Sequence, residues 1–142
     1  GSGNVRSVEN VIQYLGYNYV VSNDNKLIKK ASHIILPGVG SFDSSMEKIK
    51  KNIPLDCLKD EVLINQKPFL GICVGMQVLF DLGYENKKSK GLGWINGEVH
   101  KLKVEKSPIP HIGWNSIALS NKNSKLLEFL SRAPISFDKD DS

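Results

Sequence analysis

The sequence predicts an α/β fold: a doubly wound, mostly parallel sheet with flanking helices and an antiparallel edge region. Two observations support this prediction. Helical and strand-like patterns alternate over residues 5–73, which is the order that parallel strands with crossover helices require. From Gly91 onwards, short β-type runs interrupted by glycine and proline replace the alternation, which indicates strands at the edge of the sheet.

The first elements are identified by the spacing of apolar residues. These recur at helical intervals from Val5 to Leu15, and Gly16 is placed to end the helix. Tyr19–Val21 is a candidate short strand. After a polar stretch, the apolar run His33–Leu36 predicts a second strand, which is followed by the turn residues Pro37–Gly40.

Two helices and a strand are expected next. Ser41 or Asp43 can cap a helix that runs to Ile49, and a further helix covers Leu55–Asn65. The apolar run Phe69–Ile72 predicts a buried strand. The remaining expected elements are an amphipathic helix at Met76–Leu82, edge strands at Glu98–Val104 and Ile117–Leu119, and a short helix at Lys125–Leu130.

Both ends of the sequence are expected to be cut. The chain begins almost directly with a helix, so a doubly wound sheet would lack its first strand. The tail Phe137–Ser142 has no core character. We therefore predict a single domain over residues 1–142 that is incomplete at both ends.

The composition favours a cytoplasmic globular protein. The 142 residues are 40% hydrophobic and 24% charged, with no apolar run of membrane-spanning length and no signal-peptide pattern. The two cysteines lack the spacing of a disulfide framework. The net charge of +4 comes mainly from scattered lysines, and the densest run, Lys87–Lys90, is expected to be a solvated loop. Without interleaved arginines and aromatics, this run does not predict a nucleic-acid interface.

The segment Gly71–Gly75 carries the clearest chemical signal. Its pattern, Gly-Ile-Cys-Val-Gly, lies between an apolar strand and a predicted helix, as in a nucleophile elbow with cysteine in place of serine. The tight turn strains the backbone of Cys73, the small flanking residues let strand and helix approach, and a helix N-terminus favours the thiolate. A buried structural cysteine is the alternative, and Cys57, which has neither feature, keeps that interpretation.

Five separated segments then occur in the order typical of one family. Together they resemble the glutaminase subunits of imidazole glycerol phosphate synthases, which are class I glutamine amidotransferases of histidine biosynthesis. The resemblance covers the chain from Gly1 to about Leu130. The segments Pro37–Phe42 and Pro110–Asn115 distinguish these glutaminase subunits and their close relatives from other class I amidotransferases. The segments are Gly1–Val8, Pro37–Phe42, Gly71–Gln77, Gly91–Gly93 and Pro110–Asn115.

The resemblance implies hydrolysis of the glutamine side-chain amide. Cys73 would attack the amide carbon, form a thioester and release ammonia. The N–H of Val74 would be one oxyanion donor. The second donor would come from the Pro37–Gly40 segment, at Val39 or Gly40, whose glycines would permit a peptide flip. A plain strand-ending turn is the alternative for this segment.

The resemblance also assigns substrate and partner contacts. Gln77, one helical turn after Cys73, and Gly38 would contact glutamine. Glu85 would hold the α-amino group of the substrate, with a solvated surface carboxylate as the alternative. Four residues would lie at the interface with the synthase partner, and an edge segment with a packed tryptophan is the alternative for the last three. They are Asn4, His111, Trp114 and Asn115.

The implied partner is a (β/α)8-barrel cyclase subunit that receives the ammonia, and no metal or organic cofactor is implied. Three other functions stay open. One is a paralogous amidotransferase subunit that supplies ammonia to a partner modifying surface sugars. Another is a noncatalytic relative that retains only the partner interface. The third is a different cysteine hydrolase, which would have a similar elbow but would lack the His111–Asn115 segment.

The catalytic base is the missing part of this resemblance. Family members take a histidine and its orienting acid from a C-terminal Phe-His-Pro-Glu-like segment. None of His33, His100 and His111 matches that position. We expect truncation to explain the difference, with a degenerate relative as the alternative, and we expect residues 1–142 alone to be inactive as a glutaminase.

Overall fold

The structure is a computed structural model that describes residues 5–103, and these residues lie within one compact unit. No helix in this range combines the length and the apolarity needed to cross a bilayer. Several expected features lie outside the described residues. They are the partner contacts at Asn4, His111, Trp114 and Asn115, the strand at Ile117–Leu119 and the helix at Lys125–Leu130.

Helices and strands alternate along the described residues, as the sequence predicts. A π-helical turn, Asp60–Ile64, continues α4, so the two together agree with the predicted helix Leu55–Asn65. In chain order the elements are α1 (Val5–Tyr14), α2 (Asn25–Lys30), β1 (Ile34–Gly38), α3 (Phe42–Asn52), α4 (Leu55–Lys59), β2 (Phe69–Cys73), α5 (Val74–Gln77), β3 (Phe80–Tyr84), β4 (Lys88–Lys90) and β5 (Ile95–Val99).

The strands of the described residues form two sheets, of which the first is parallel and the second is mixed. β1 and β2 are parallel, and their register runs from the pair Ile34–Phe69 to the pair Gly38–Cys73. α3 and α4 make the crossover connection between them, as parallel pairing requires. In the second sheet β3 lies between β4 and β5, antiparallel to β4 and parallel to β5. The α/β class is therefore confirmed, with parallel and antiparallel strands both present.

Two helix boundaries follow their sequence signals. At the end of α1, Gly16 has a φ of 78°, and its N–H and that of Tyr17 bond back to carbonyls of the last helical turn. This is the Schellman arrangement, which favours glycine because glycine has no Cβ. At the start of α3, Ser41 is the N-cap, and its Oγ accepts from the Ser44 N–H at 3.4 Å. Ser41 rather than Asp43 is therefore the cap.

The strand expected at Tyr19–Val21 is wrong. A strand needs a ladder partner, and within residues 5–103 the only strand that pairs with β1 is β2. Residues 17–24 have irregular backbone instead. The polar stretch that follows contains a helix that sequence reasoning missed. Asp24 caps this helix, α2, by accepting from two N–H groups of its first turn.

Two expectations in the second half of the described range are wrong, and the bounds of a third are shifted. The helix expected at Met76–Leu82 ends at Gln77, because the apolar residues that follow pair as β3 with β4 and β5. The Lys87–Lys90 run, expected as a loop, contains β4. The strand expected at Glu98–Val104 lies earlier in the chain, as β5 at Ile95–Val99. It includes only Glu98 and Val99 of the expected residues, and it is an edge strand of the second sheet.

A hydrophobic core joins β1, α3 and α5. Among the described residues it contains six buried apolar side chains, of which Phe42 and Val78 are almost inaccessible to solvent. Because Val74 directly follows the cysteine of the predicted elbow, burial of its side chain holds the start of α5 against β1 and α3. The six residues are Leu36, Phe42, Met46, Ile49, Val74 and Val78.

Candidate active site

Cys73 lies at the junction of β2 and α5. It is the last residue of the strand and the N-cap of the helix, and it is exposed. Its backbone has a φ of 55° and a ψ of −121°, a conformation that residues other than glycine rarely adopt. The strained strand-to-helix turn predicted from the sequence is therefore confirmed. The role of Cys73 as the nucleophile stays a prediction.

Three glycines let α5 pack directly against the parallel sheet. A Cβ at Gly71 would lie 2.6 Å from the Gly75 carbonyl oxygen, and a Cβ at Gly38 would lie 2.6 Å from the Gly75 nitrogen. A Cβ at Gly75 would overlap the carbonyl oxygen of Leu36. These distances are well inside van der Waals contact. Close packing of strand and helix therefore requires glycine on both sides of Cys73, as the sequence predicts.

The predicted oxyanion residues lie next to the cysteine. Gly38, the last residue of β1, is the register partner of Cys73, and Val39 and Gly40 follow it and are exposed. Gly40 has a φ of 100°, in the region that glycine adopts without strain. Val74 follows Cys73 directly and is buried. Parallel pairing thus brings the two predicted oxyanion sources together at the carboxyl ends of β1 and β2.

Gln77 and Glu85 lie in different surroundings. Gln77 is the last residue of α5 and is half-buried. Glu85 directly follows β3, and its Oε2 accepts a hydrogen bond from the Phe42 N–H at 2.8 Å. The Glu85 carboxylate therefore has a defined contact with the first residue of α3. A carboxylate can accept on both oxygens, so Oε1 is still able to accept from a ligand.

A second hydrogen bond joins the same loop to α3. Asn86 Nδ2 donates to Asp43 Oδ1 at 3.1 Å. A hydrogen bond from the Ser41 side chain holds the pKa of Asp43 below its ordinary value, against the opposing effect of desolvation and with a smaller contribution from Asn86. Asp43 therefore carries its negative charge in the first turn of α3, where the helix dipole favours it.

The two histidines among the described residues have hydrogen-bond partners other than Cys73. His33 Nδ1 lies 3.1 Å from Ser32 Oγ. His100 Nε2 lies 2.9 Å from Glu98 Oε2, and its ring stacks on that of Tyr84 with a centroid separation of 4.7 Å. Sequence reasoning missed this carboxylate–histidine pair, which forms between the end of β5 and the residue that follows it. His111 lies outside the described residues.

Residues 5–103 contain no group of three or more His, Cys, Asp or Glu side chains that could hold a metal ion. A cavity of about 400 Å³ lies beside β1 and is bordered by the segment 21–23 and by α3. Gly38, Val39 and Gly75 line it, and Cys73 does not. The cavity therefore borders the predicted oxyanion segment without including the cysteine.

Sequence reasoning also missed the residues that hold Phe42. Gly83 in β3 leaves the space that the Phe42 ring occupies, since a Cβ at this position would overlap the ring. Glu85 and Asn86 contact α3 over a separation of 43 residues in each case, which no local pattern reveals. The one available signal is the glycine inside a strand, which often marks a close approach of another group.

Comparison with known proteins gives a consistent result. Residues 1–138 match the family described as glutamine amidotransferase class-I. The chain is 45% identical over 130 residues to imidazole glycerol phosphate synthase subunit HisH 2 of Vibrio vulnificus, covering 90% of this chain and 60% of that protein. It is 46% identical over 117 residues to subunit HisH of Bacillus cereus, covering 82% and 55%. Over 138 residues it is 40% identical to subunit HisH of Leptospira interrogans, covering 94% and 67%. The chain thus spans about 60% of the length of the first of these relatives.

Proposed function

Because this chain belongs to the class-I glutamine amidotransferase family, we propose that it acts as the glutaminase subunit of an imidazole glycerol phosphate synthase. It hydrolyses glutamine to glutamate and ammonia, and the ammonia passes to a cyclase partner. The observation that carries the proposal is the backbone at Cys73. This residue is exposed and strained, and the glycines two positions before and after it allow close contact of β2, α5 and β1. A structural cysteine does not need a backbone conformation that costs about 1–3 kcal/mol.

Cys73 is the proposed nucleophile. Its thiol gives up a proton as the sulfur attacks the amide carbon, and the C–N bond breaks as this proton passes to the leaving nitrogen to give ammonia. Water then hydrolyses the thioester to glutamate and restores the thiol. The tetrahedral oxyanion needs N–H donors that are in place before the reaction. We assign this role to the N–H of Val74 and to that of Val39 or Gly40. Their location at the carboxyl ends of β2 and β1 supports the assignment.

Gly38, Gln77 and Glu85 are proposed to hold the glutamine. Gln77 lies one helical turn after Cys73, so its amide can contact the substrate bound at the sulfur. The Glu85 carboxylate attracts the α-ammonium group of glutamine. Its support is the fixed contact of Oε2 with the Phe42 N–H, which orients the carboxylate and keeps Oε1 for the ligand.

The proposed partner is a (β/α)8-barrel cyclase subunit, with which the chain forms a heterodimer in the cytoplasm for histidine biosynthesis. The support is that the relatives named above are subunits of imidazole glycerol phosphate synthases. Four residues are proposed to lie at the interface with the cyclase. They are Asn4, His111, Trp114 and Asn115.

Release of glutamate by the full-length protein mixed with its cyclase tests the proposal. Cys73→Ser should lower the rate by a factor on the order of 10³ or more, because the nucleophile is lost. Cys57→Ser is the matched control, since Cys57 is a half-buried thiol whose sulfur lies 3.9 Å from the Asn25 carbonyl oxygen. It should retain full activity. Activity that survives Cys73→Ser would overturn the proposal, and activity only with a sugar-modifying partner would replace the proposed cyclase.

A further inference from the structure

We propose that Glu85 and Asn86 position the predicted oxyanion segment, Pro37–Gly40, by anchoring the first turn of α3. Asn86 acts as a positioning residue, and Glu85 combines this role with its contact to the substrate. The inference rests on the proposed function, because it concerns the rate of the same glutaminase step.

Phe42, the first residue of α3, is held on two sides. Its side chain is buried, with 1% of the residue exposed, and its ring occupies the space left by Gly83 of β3. Its N–H donates to Glu85 Oε2 at 2.8 Å. Because Glu85 follows Gly83 by two residues, the end of β3 holds both the ring and the backbone of Phe42.

Asn86 anchors the next residue of the helix. Its Nδ2 donates to Asp43 Oδ1 at 3.1 Å, and the same carboxylate interacts with the Ser41 side chain, which caps α3. The loop after β3 therefore contacts two consecutive residues of the first turn. Two such contacts restrict the rotation and the translation of this turn more than a single contact would.

These anchors lie close in sequence to the predicted oxyanion donors. Gly38 is fixed by its pairing with Cys73, and Phe42 is fixed by the contacts described above. Only the segment Val39–Ser41 joins these two points. Because this segment is short and both its ends are fixed, a shift of Phe42 moves the N–H groups of the segment relative to Cys73. Stabilisation of an oxyanion depends steeply on such positions.

Steady-state glutaminase kinetics of the full-length protein with its cyclase partner test the inference. Asn86→Ala should lower kcat about ten- to a hundredfold and leave KM within about twofold, since its proposed role is to position the oxyanion donors and not to bind glutamine. Lys87→Ala is the matched control. Lys87 belongs to the same loop, and its Nζ lies 3.5 Å from Glu47 Oε1, one turn further along α3. This variant should leave kcat and KM unchanged.

Glu85 variants separate its two roles. Glu85→Gln keeps an acceptor for the Phe42 N–H and loses the charge, so it should raise KM with a smaller change in kcat. Glu85→Leu loses both and should lower kcat as well. Asn86→Asp places two carboxylates at the hydrogen bond between residues 86 and 43 and should lower kcat. Adding Asp43→Asn restores a donor and an acceptor in exchanged positions, so the double variant should recover part of this kcat.

Two results would overturn the inference. One is an unchanged kcat in Asn86→Ala. The other is an equal loss of kcat in Asn86→Ala and Lys87→Ala that follows their melting temperatures, since this would indicate a general stabilisation of the loop. A wild-type complex without glutaminase activity would overturn the proposed function instead, and this measurement precedes any comparison of variants.

Discussion

The backbone strain at Cys73 can be measured as a difference in stability between two variants. Its φ of 55° and ψ of −121° cost a residue with a Cβ about 1–3 kcal/mol, whereas glycine adopts positive φ freely. We expect Cys73→Gly to have a free energy of unfolding about 1 kcal/mol higher than Cys73→Ala, because relief of strain exceeds the entropic cost of glycine in the unfolded chain. Denaturant titration of the two variants measures this difference without reference to activity, since both lack the thiol.

Gly16 provides a control in the opposite direction, because here a glycine at positive φ is replaced by a residue with a Cβ. It has a φ of 78°, and no atom lies within 4 Å of an added Cβ. Gly16→Ala should therefore lose about 1 kcal/mol from backbone strain alone. If Cys73→Gly is no more stable than Cys73→Ala while Gly16→Ala shows its loss, the turn at Cys73 is not strained.

At the scale of the elements, the ammonium group of Lys67, just before β2, links the turn after α4 to the end of α2. Lys67 Nζ lies 2.7 Å from Glu61 Oε2, with 11% and 10% of the two side chains exposed. The same ammonium donates to the carbonyls of Ile28 and Lys29 at the end of α2. The hydrogen bond from Lys67 holds the pKa of Glu61 below its ordinary value, against the opposing effect of desolvation.

This pKa shift predicts a pH-dependent contribution to stability. A carboxylate whose pKa is lowered by folding contributes stability above its unfolded pKa and loses the contribution as the pH falls through its folded pKa. Glu61→Gln should therefore lower the free energy of unfolding at neutral pH, and its difference from the wild type should shrink below about pH 4. Denaturant titrations over this pH range measure the effect.

The exposed pair of Glu47 and Lys87 provides the control for this experiment. Glu47→Gln should change the free energy of unfolding by less than about 0.5 kcal/mol at either pH, because exposed ion pairs contribute little. A deficit in Glu61→Gln that stays constant between neutral and acid pH would contradict the prediction.

Local signals predicted most of the elements that position the candidate site, and they failed where pairing is long-range. The cap at Ser41, the end of α1 at Gly16 and the strained elbow all depend on neighbouring residues. The apolar pattern of Met76–Leu82 suits a helix or a strand, and β4 and β5, which come later in the chain, decide for the strand. Tyr19–Val21 is the converse case, since strand-like residues without a ladder partner form no strand. The contact of Glu85 with α3 likewise depends on a residue far away in sequence.

At the scale of the whole molecule, the buried contacts of residues 5–103 are unevenly distributed. Helix α1 has no buried residue, and its residues Val11 and Tyr14 are 57% and 90% exposed. By contrast, β1, α3 and α5 share the hydrophobic core around Phe42. Local opening costs least free energy where few apolar contacts are made, so α1 is expected to open more readily than α3.

Hydrogen–deuterium exchange of the 142-residue chain measures this difference. Amides in the hydrogen-bonded part of α1 should exchange about tenfold faster than those of α3, because α1 can open without disrupting the core. The two helices offer a matched comparison, since they have similar lengths and each has a well-formed cap at one end. Equal protection would mean that α1 and α3 open together as one cooperative unit.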